Sequence, residues 1–261
     1  MTAACLPRPR VGVLLHPTAL PGSPVCGGLG VSARLWIGAL ARNGIGLWQV
    51  LPLSPPDGTG SPYSSPSSFA INPWLLDAND LCDEGFLQPG DLVSLPGAEA
   101  ASPSLDFSLA DRRASVLARQ LRLRWHQLPH SHHVAFDSWR RDQSRWLQDH
   151  AAFVVLREQN KGRPWWEWPQ ALAVHDQTAL AEWRLEHQGR LLEQELLQWH
   201  LNRQWMQLRE LASELDVEIL GDLPFYVARD SADVWSHREL FSIAADGRLR
   251  EHSGVPPDYF S

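Results

Sequence analysis

Three short segments with strand character constrain the fold of this chain more than any other feature. Two are continuous apolar runs at residues 11–15 and 47–53, and the third is residues 217–227, which ends in a turn. Runs of this length without polar alternation are typical of parallel strands buried on both faces. Between the first two runs, residues 32–43 predict a helix that begins at an N-capping Ser32 and stops at Gly44, so this segment forms a strand–helix–strand unit.

The connection between the second and third runs is too long for a single crossover helix. It covers residues 54–216, about 160 positions, and therefore predicts an inserted, mainly helical subdomain. Helical spacing recurs over residues 111–159 and 176–215, with Gly189 dividing the second segment, whereas residues 75–110 predict loops and short turns. The expected buried faces are Leu35, Ala39 and Leu40 in the first helix, and Leu201, Trp205, Leu208, Ala212 and Leu215 in the last.

Composition and charge exclude several classes of protein. The 261 residues have a formal net charge of -7, which argues against non-specific nucleic-acid binding. The sequence contains no apolar run long enough for a transmembrane helix, and residues 1–10 lack the apolar core of a signal peptide. Cys5, Cys26 and Cys82 lack metal-ligand spacing and predict free thiols in a reducing cytoplasm.

Tryptophan is unusually frequent, with 13 residues. Indole rings can serve as platforms for the apolar faces of sugar rings in a binding cleft. They can also pack between helices in large aromatic layers. For any single tryptophan packing is the simpler interpretation, and both remain open for the set.

A histidine cluster is the best candidate for a metal site. It consists of His126, His130, His132 and His133. No nearby Asp, Glu or Cys completes a ligand shell, so a solvated loop is the favoured interpretation. Common nucleotide-binding, serine-hydrolase and zinc-protease motifs are absent from the sequence.

Carboxylates near the strand ends are more informative. Asp222 comes just after the apolar pair Ile219 and Leu220 of the third segment. The carboxyl ends of the strands face the active site in a parallel barrel, although a helix cap or loop carboxylate is the alternative. Asp258 stands in a Pro-Pro-Asp-Tyr-Phe loop, which suits sugar binding but also fits a surface turn. Asp230 and Asp233, with Ser231, are expected to cap a following helix.

The loop after the second run presents an aromatic ring. Tyr63 belongs to a Ser-Pro-Tyr sequence within a segment rich in Gly, Ser and Pro. Loops of this kind can hold a ring rigidly at the mouth of a barrel. Taken alone, the motif leaves a functional and a structural role equally open.

Five stretches, in order along the chain, resemble amylomaltase, the 4-alpha-glucanotransferase of glycoside hydrolase family 77. They are residues 12–22 (GVLLHPTALPG), 47–76, 162–169 (GRPWWEWP), 221–235 (GDLPFYVARDSADVW) and 253–261 (SGVPPDYFS). The similarity extends over nearly the whole chain and is weakest at residues 90–159. It implies an α/β fold, a partial (β/α)8 barrel made of the first three strands with a large, mainly helical insertion.

The resemblance also implies an activity and site residues. Tyr63 is expected to stack on a sugar, Asp222 to contact the substrate, and Asp258, Tyr259 and Phe260 to belong to a loop that covers bound glucan. The family uses a retaining mechanism with an Asp nucleophile, a Glu acid/base and a second, stabilising Asp. All three are expected beyond Ser261, so no catalytic residue is assigned here. Neither a cofactor nor a metal is implied.

The resemblance further suggests three regions and a missing portion. Residues 1–75 hold the first strand–helix–strand unit and the Tyr63 loop, residues 76–175 the inserted subdomain, and residues 176–261 a long helical segment, the third strand and the covering loop. We expect the N-terminal half of a cytoplasmic enzyme acting on α-1,4-glucans, inactive alone and completed by a missing half or a second chain. A non-catalytic α-glucan-binding fragment and a degenerate, misfolding remnant are the alternatives.

Overall fold

Three short strands form one parallel sheet in the part of the chain that is described. The computed structural model describes residues 11–21, 25–97, 105–244 and 246–251. The strands are β1 (Gly12–Leu14), β2 (Leu47–Gln49) and β3 (Glu218–Leu220), in the order β1-β2-β3. Their positions are confirmed, but each is shorter than expected. Two of the apolar runs continue into Pro52 and Pro224, which cannot donate to a strand ladder.

The two faces of this sheet differ. The register aligns Val13, Trp48 and Ile219 in one row, which packs into the main hydrophobic core with Trp48 fully buried. Leu14 and Leu220 lie on the opposite face because successive strand residues alternate, and they are 53% and 47% exposed. The expectation of strands buried on both faces is therefore wrong for the described residues.

Helices make up most of the described structure. The α-helices are α1 (Val31–Arg42), α2 (Ala78–Asp83), α3 (Pro89–Val93), α4 (Phe107–Trp125), α5 (His130–Asp142), α6 (Leu147–Gln159), α7 (Gln170–Ala173), α8 (Gln177–Glu186), α9 (Gln188–Glu214) and α10 (Ala232–Ser236). Short 3-10 helices lie at Pro17–Ala19, Pro62–Ser64, Pro73–Leu75, Trp165–Glu167 and Arg238–Leu240. The insertion between β2 and β3 is confirmed as mainly helical. Residues 75–110 also contain α2 and α3, and the break between α8 and α9 falls at His187, beside Gly189.

A contact with another segment, rather than local capping, sets the start of α1. Ser32 lies inside the helix, where its hydroxyl donates to the carbonyl of Pro21 at 2.5 Å. Gly30 occupies the N-cap position, and a Cβ atom there would lie 1.9 Å from Oδ2 of Asp77. The predicted N-cap is therefore wrong. Gly44, with a φ of 69°, follows the end of the helix as expected.

The predicted buried faces are confirmed in part. The buried residues of α1 are Ala33, Ile37 and Leu40. Leu35 is exposed, because the helix turns a different stripe toward the core. In α9, Leu201, Leu208 and Ala212 are buried, whereas Leu215 is the exposed C-cap.

Tryptophans fill two hydrophobic cores. The buried indoles of the described segments are Trp48, Trp125, Trp165, Trp168, Trp199 and Trp235. In the larger core, the rings of Trp125 and Trp199 meet edge to face at 5.9 Å. In the smaller core, Trp168 and Trp235 meet at 5.5 Å. Packing in these two cores therefore accounts for the six residues, with Trp48 contributed by strand β2.

The histidine cluster lies mostly in a helix. His130, His132 and His133 form the first turn of α5, so the solvated loop is a wrong expectation for them. The ring of His132 lies 4.6 Å from that of Phe86, and the ring of His133 lies 4.3 Å from that of Trp125. These aromatic contacts attach the first turn of α5 to the core. Over residues 11–21, 25–97, 105–244 and 246–251, no group of three His, Cys, Asp or Glu side chains could hold a metal ion.

Two further expectations concern cysteines and membranes. Cys26 and Cys82 are free thiols, as predicted, and Cys5 lies outside the described residues. In the described segments we find no helix with the length and apolar character needed to cross a bilayer.

Candidate functional site

Tyr63 and Asp222 meet at the edge of the sheet where β2 and β3 end. The phenol Oη of Tyr63 donates a 2.6 Å hydrogen bond to Oδ2 of Asp222, although the two residues are 159 positions apart. Adjacent parallel strands place their carboxyl ends at the same edge. The pairing of β2 with β3 therefore brings the two following loops together.

Local hydrogen bonds shape the loop that carries Tyr63. Oδ1 of Asp57 accepts hydrogen bonds from the backbone N–H of Thr59, from the Thr59 hydroxyl and from the backbone N–H of Ser61, at 2.8, 2.6 and 3.0 Å. The Thr59 hydroxyl lowers the pKa of Asp57, since its hydrogen bond favours the charged carboxylate. Oγ of Ser61 in turn accepts from the backbone N–H of Tyr63 and caps the 3-10 helix that holds the ring.

Helix α10 holds the continuation of the same loop. A carboxylate oxygen of Asp233 accepts the backbone N–H of Ser68 at 2.9 Å. Ser231 caps α10, as expected, whereas Asp230 pairs with Arg157 and Asp233 bonds the loop. The expected capping role of these two aspartates is therefore wrong. The cap alternative for Asp222 is not realised either, because α10 begins later and has its own cap.

The pair combines a flat ring with a carboxylate at the surface. Tyr63 is 42% exposed, and the hydrogen bond to Asp222 raises the pKa of the phenol, because ionisation would lose that bond and place two negative charges together. The phenol therefore stays neutral at pH 7. A carboxylate accepts hydrogen bonds from sugar hydroxyls, and an aromatic face packs against the C–H groups of a pyranose.

Exposed apolar side chains follow Asp222 along the chain. Leu223 and Phe225 are 80% and 83% exposed, and Tyr226 is also exposed. The rings of Phe225 and Tyr226 lie 4.7 Å apart. These two rings are not among the site residues predicted from the sequence, although the adjacent aromatic pair lies in the loop that follows β3 and Asp222. Exposed apolar groups clustered beside a polar site are typical of a contact surface.

Asp258, Tyr259 and Phe260 lie outside the described residues. Their expected role in a loop that covers glucan stays a prediction.

Comparison with known proteins indicates one family. A family model described as 4-alpha-glucanotransferase matches residues 15–261. The 4-alpha-glucanotransferase of Thermus thermophilus is 37% identical over 98% of this chain, and that of Synechocystis sp. is 36% identical over 96%. Among solved structures, the amylomaltase from Streptococcus agalactiae in complex with acarbose matches 97% of this chain with a TM-score of 0.89 and 28% identity. This likeness confirms the expected partial barrel with a helical insertion.

The chain spans about half the length of the curated relatives it matches. It covers 50% of each of these two 4-alpha-glucanotransferases and 51% of the amylomaltase structure. The half-length match agrees with the expectation that this chain corresponds to half of a longer protein.

Proposed function

Because this chain belongs to the 4-alpha-glucanotransferase family, we propose that it supplies half of an enzyme that transfers α-1,4-glucan segments between maltodextrins. In this reaction one glycosidic bond is broken, and the released glycan is joined to a hydroxyl group of a second sugar. The described half contributes side chains that bind the glucan. The reacting carboxylates belong to the other half.

The contact between Tyr63 and Asp222 is the observation that carries this proposal. It lies at the strand-end edge, where the active site of a parallel barrel is built. Tyr63 offers an exposed ring for a pyranose face, and Asp222 offers a carboxylate for sugar hydroxyls. The hydrogen bond between them orients the ring and engages Oδ2 of Asp222, so Oδ1, which accepts no hydrogen bond from the described residues, is available for a hydroxyl of the substrate.

The transfer itself requires three carboxylates beyond Ser261. An Asp attacks the anomeric carbon while a Glu protonates the departing glycosidic oxygen, which gives a covalent glycosyl-enzyme. The same Glu, now ionised, removes the proton of the acceptor hydroxyl, which displaces the Asp and restores the configuration. The 261-residue chain alone is therefore inactive, because loss of the nucleophile lowers the rate by several orders of magnitude.

The open sheet supports completion by further strands. In the described part of the chain β1 and β3 form the two edges, and Leu14 and Leu220 are exposed on the uncovered face. Three strands cannot close a barrel, and exposed strand edges favour pairing with additional strands. The partner is a second half that supplies the remaining strands and the catalytic carboxylates.

Calorimetric titration of the chain with maltoheptaose tests the binding role. Asp222→Ala should raise the Kd about tenfold or more, because it removes a charged hydrogen-bond acceptor. Tyr63→Ala should weaken binding about fivefold through the lost ring. Asp246→Ala is the matched control, since Asp246 is exposed and its contacts among the described residues are with the nearby Arg248. Equal affinities for the wild-type chain and Asp222→Ala would refute the assignment.

A further inference from the structure

The described structure contains a hollow whose lining includes neither Tyr63 nor Asp222. Its volume is about 130 Å³, and it opens between the loop that follows β2, the helices α5 and α9, and the turn after α5. A protein cavity of ~150 Å³ is known to hold a six-membered benzene ring. The hollow therefore has room for most of one ring-sized ligand, with the rest projecting through its open side.

Aromatic rings form the walls of this hollow. The rings of Phe69 and Trp146 stack, with centroids 6.2 Å apart and an interplanar angle of 23°. Phe69 is 63% exposed although it belongs to an otherwise well-anchored loop. Oε1 of Gln143 accepts the indole N–H of Trp146 at 2.9 Å and holds that ring in place. Flat, exposed and fixed rings are suited to packing against the C–H face of a sugar.

Two polar side chains of the lining lack partners. Nε1 of Trp139 is buried and donates to no acceptor among the described residues. The carboxamide of Asn202, on α9, likewise makes no hydrogen bond within the described segments. A buried donor without a partner is costly, and a native site that keeps one requires a reason. Hydroxyl groups suit both side chains, because a hydroxyl accepts from an indole N–H and exchanges hydrogen bonds with an amide.

The charge of the lining narrows the ligand class. Every side chain that lines the hollow is uncharged. Phosphorylated sugars and other anions are normally held by Arg or Lys, and cations by carboxylates. Aromatic walls with indole and amide hydrogen-bonding groups, and with no charge, match a neutral ring bearing several hydroxyls.

We propose that this hollow is an accessory binding site for one neutral glucosyl residue of an α-glucan. Phe69 and Trp146 pack against the sugar ring, and Trp139 and Asn202 bond its hydroxyls. The neutral sugar class follows from the lining, whereas its identity as a glucosyl residue rests on the proposed function. The site would bind either a second portion of the glucan molecule that Tyr63 and Asp222 bind, or a separate glucan molecule.

Indole N–H resonances of the 261-residue chain labelled with 15N-tryptophan test this proposal. The Trp139 signal is identified by its absence in Trp139→Phe. Trp36 provides the matched control, because its Nε1 is also buried and unpaired but lies on α1, outside the hollow. Maltotriose should shift the Trp139 signal saturably and leave the Trp36 signal in place.

Two variants then measure the contacts. Asn202→Ala and Phe69→Ala should each raise the Kd obtained from the Trp139 signal about fivefold. Both residues are at least partly exposed, so dispersed indole spectra are expected to show that the variants remain folded. A Trp139 signal that maltotriose shifts equally in the wild-type chain and in both variants would overturn the assignment.

The outcomes separate this site from the one at the strand ends. A Trp139 signal that stays fixed up to millimolar maltotriose, while Asp222→Ala still weakens maltoheptaose binding, overturns the accessory site and leaves the proposed function standing. A Trp139 shift that persists in Asp222→Ala establishes the accessory site even where Asp222 proves unimportant.

Discussion

Gln198, in the middle of α9, bonds both backbone groups of Ile71. Its Oε1 accepts the Ile71 N–H and its Nε2 donates to the Ile71 carbonyl, each at 2.9 Å. Six residues further along α9, Gln204 bonds the N–H and the carbonyl of Asp77 in the same way, at 3.0 and 2.9 Å. Each carboxamide satisfies a backbone donor and acceptor as a neighbouring strand would. The long helix thereby fixes the segment that follows the Tyr63 loop.

Removing one of these carboxamides should cost much of the stability. Gln198→Ala leaves the half-buried N–H and carbonyl of Ile71 without their side-chain partners, so the free energy of unfolding should fall by about 2 kcal/mol. Urea denaturation followed by circular dichroism measures the change. Gln207→Ala is the control, because this exposed side chain donates to Glu84 at the surface, and its removal should cost less than about 0.5 kcal/mol. Equal losses in the two variants would contradict the strand-like role of Gln198.

The start of α1 gives a second prediction. Gly30→Ala places a Cβ atom within 2.5 Å of three side-chain atoms of Asp77, including its Cβ. Because a side-chain rotation cannot relieve a clash with Cβ, this variant should lose about 2 kcal/mol or more. Gly90→Ala, in α3 with open space around the new atom, should gain about 0.5 kcal/mol. A Gly30→Ala protein as stable as the wild type would show that the cap is not set by this contact.

Titration of the Tyr63 phenol reports on its contact with Asp222. The hydrogen bond and the negative charge of Asp222 both raise the pKa of Tyr63 above its usual value of 10.0. Asp222→Ala removes both effects, so the pKa of Tyr63 should fall. 13C NMR of the tyrosine ring carbon that bears the hydroxyl measures the pKa, with Tyr63→Phe identifying the signal. An unchanged pKa of Tyr63 in Asp222→Ala would mean that the contact does not form in solution.

The buried His150 predicts a loss of stability in acid. Desolvation lowers the pKa of His150 from 6.5 to about 4. Between pH 6.5 and pH 4 the unfolded chain therefore binds a proton at His150 that the folded chain does not bind. The free energy of unfolding keeps its full value above pH 6.5 and decreases as the pH falls toward 4. This residue alone accounts for about 3 kcal/mol over that interval. The difference between the urea midpoints at pH 7 and pH 4 should be smaller for His150→Gln than for the wild type. For His130→Gln, a change at an exposed position, this difference should equal that of the wild type. An undiminished difference in His150→Gln would contradict the assignment.

The sequence is informative where local pattern decides the structure. Asp222 and Tyr63 follow apolar runs, and the geometry of parallel strands alone brings such positions together, so their proximity could be predicted. The start of α1 could not be predicted, because the residue that excludes a side chain at Gly30 is Asp77, which belongs to a distant segment. The helical first turn of α5 was missed for a similar reason, since the rings that receive His132 and His133 belong to Phe86 and Trp125.

Tryptophan shows the same division. The tryptophans can be counted in the sequence. Which of them pack in a core and which line a hollow could not be predicted from their neighbours in the sequence. Trp168 and Trp235 pack in the same core, although 66 residues separate them in the sequence. Trp139, by contrast, keeps an unpaired N–H beside a hollow. Only tertiary contacts distinguish the two situations.

The production of glucose from maltotriose tests the central claim most directly. The 261-residue chain is assayed alone and after mixing and refolding with the C-terminal half of the Thermus thermophilus relative. We expect no glucose from the chain alone, glucose and longer maltodextrins from the mixture, and at least about tenfold less glucose from a mixture containing Asp222→Ala. Glucose released by the chain alone, or equal rates for the wild-type and Asp222→Ala mixtures, would contradict this claim.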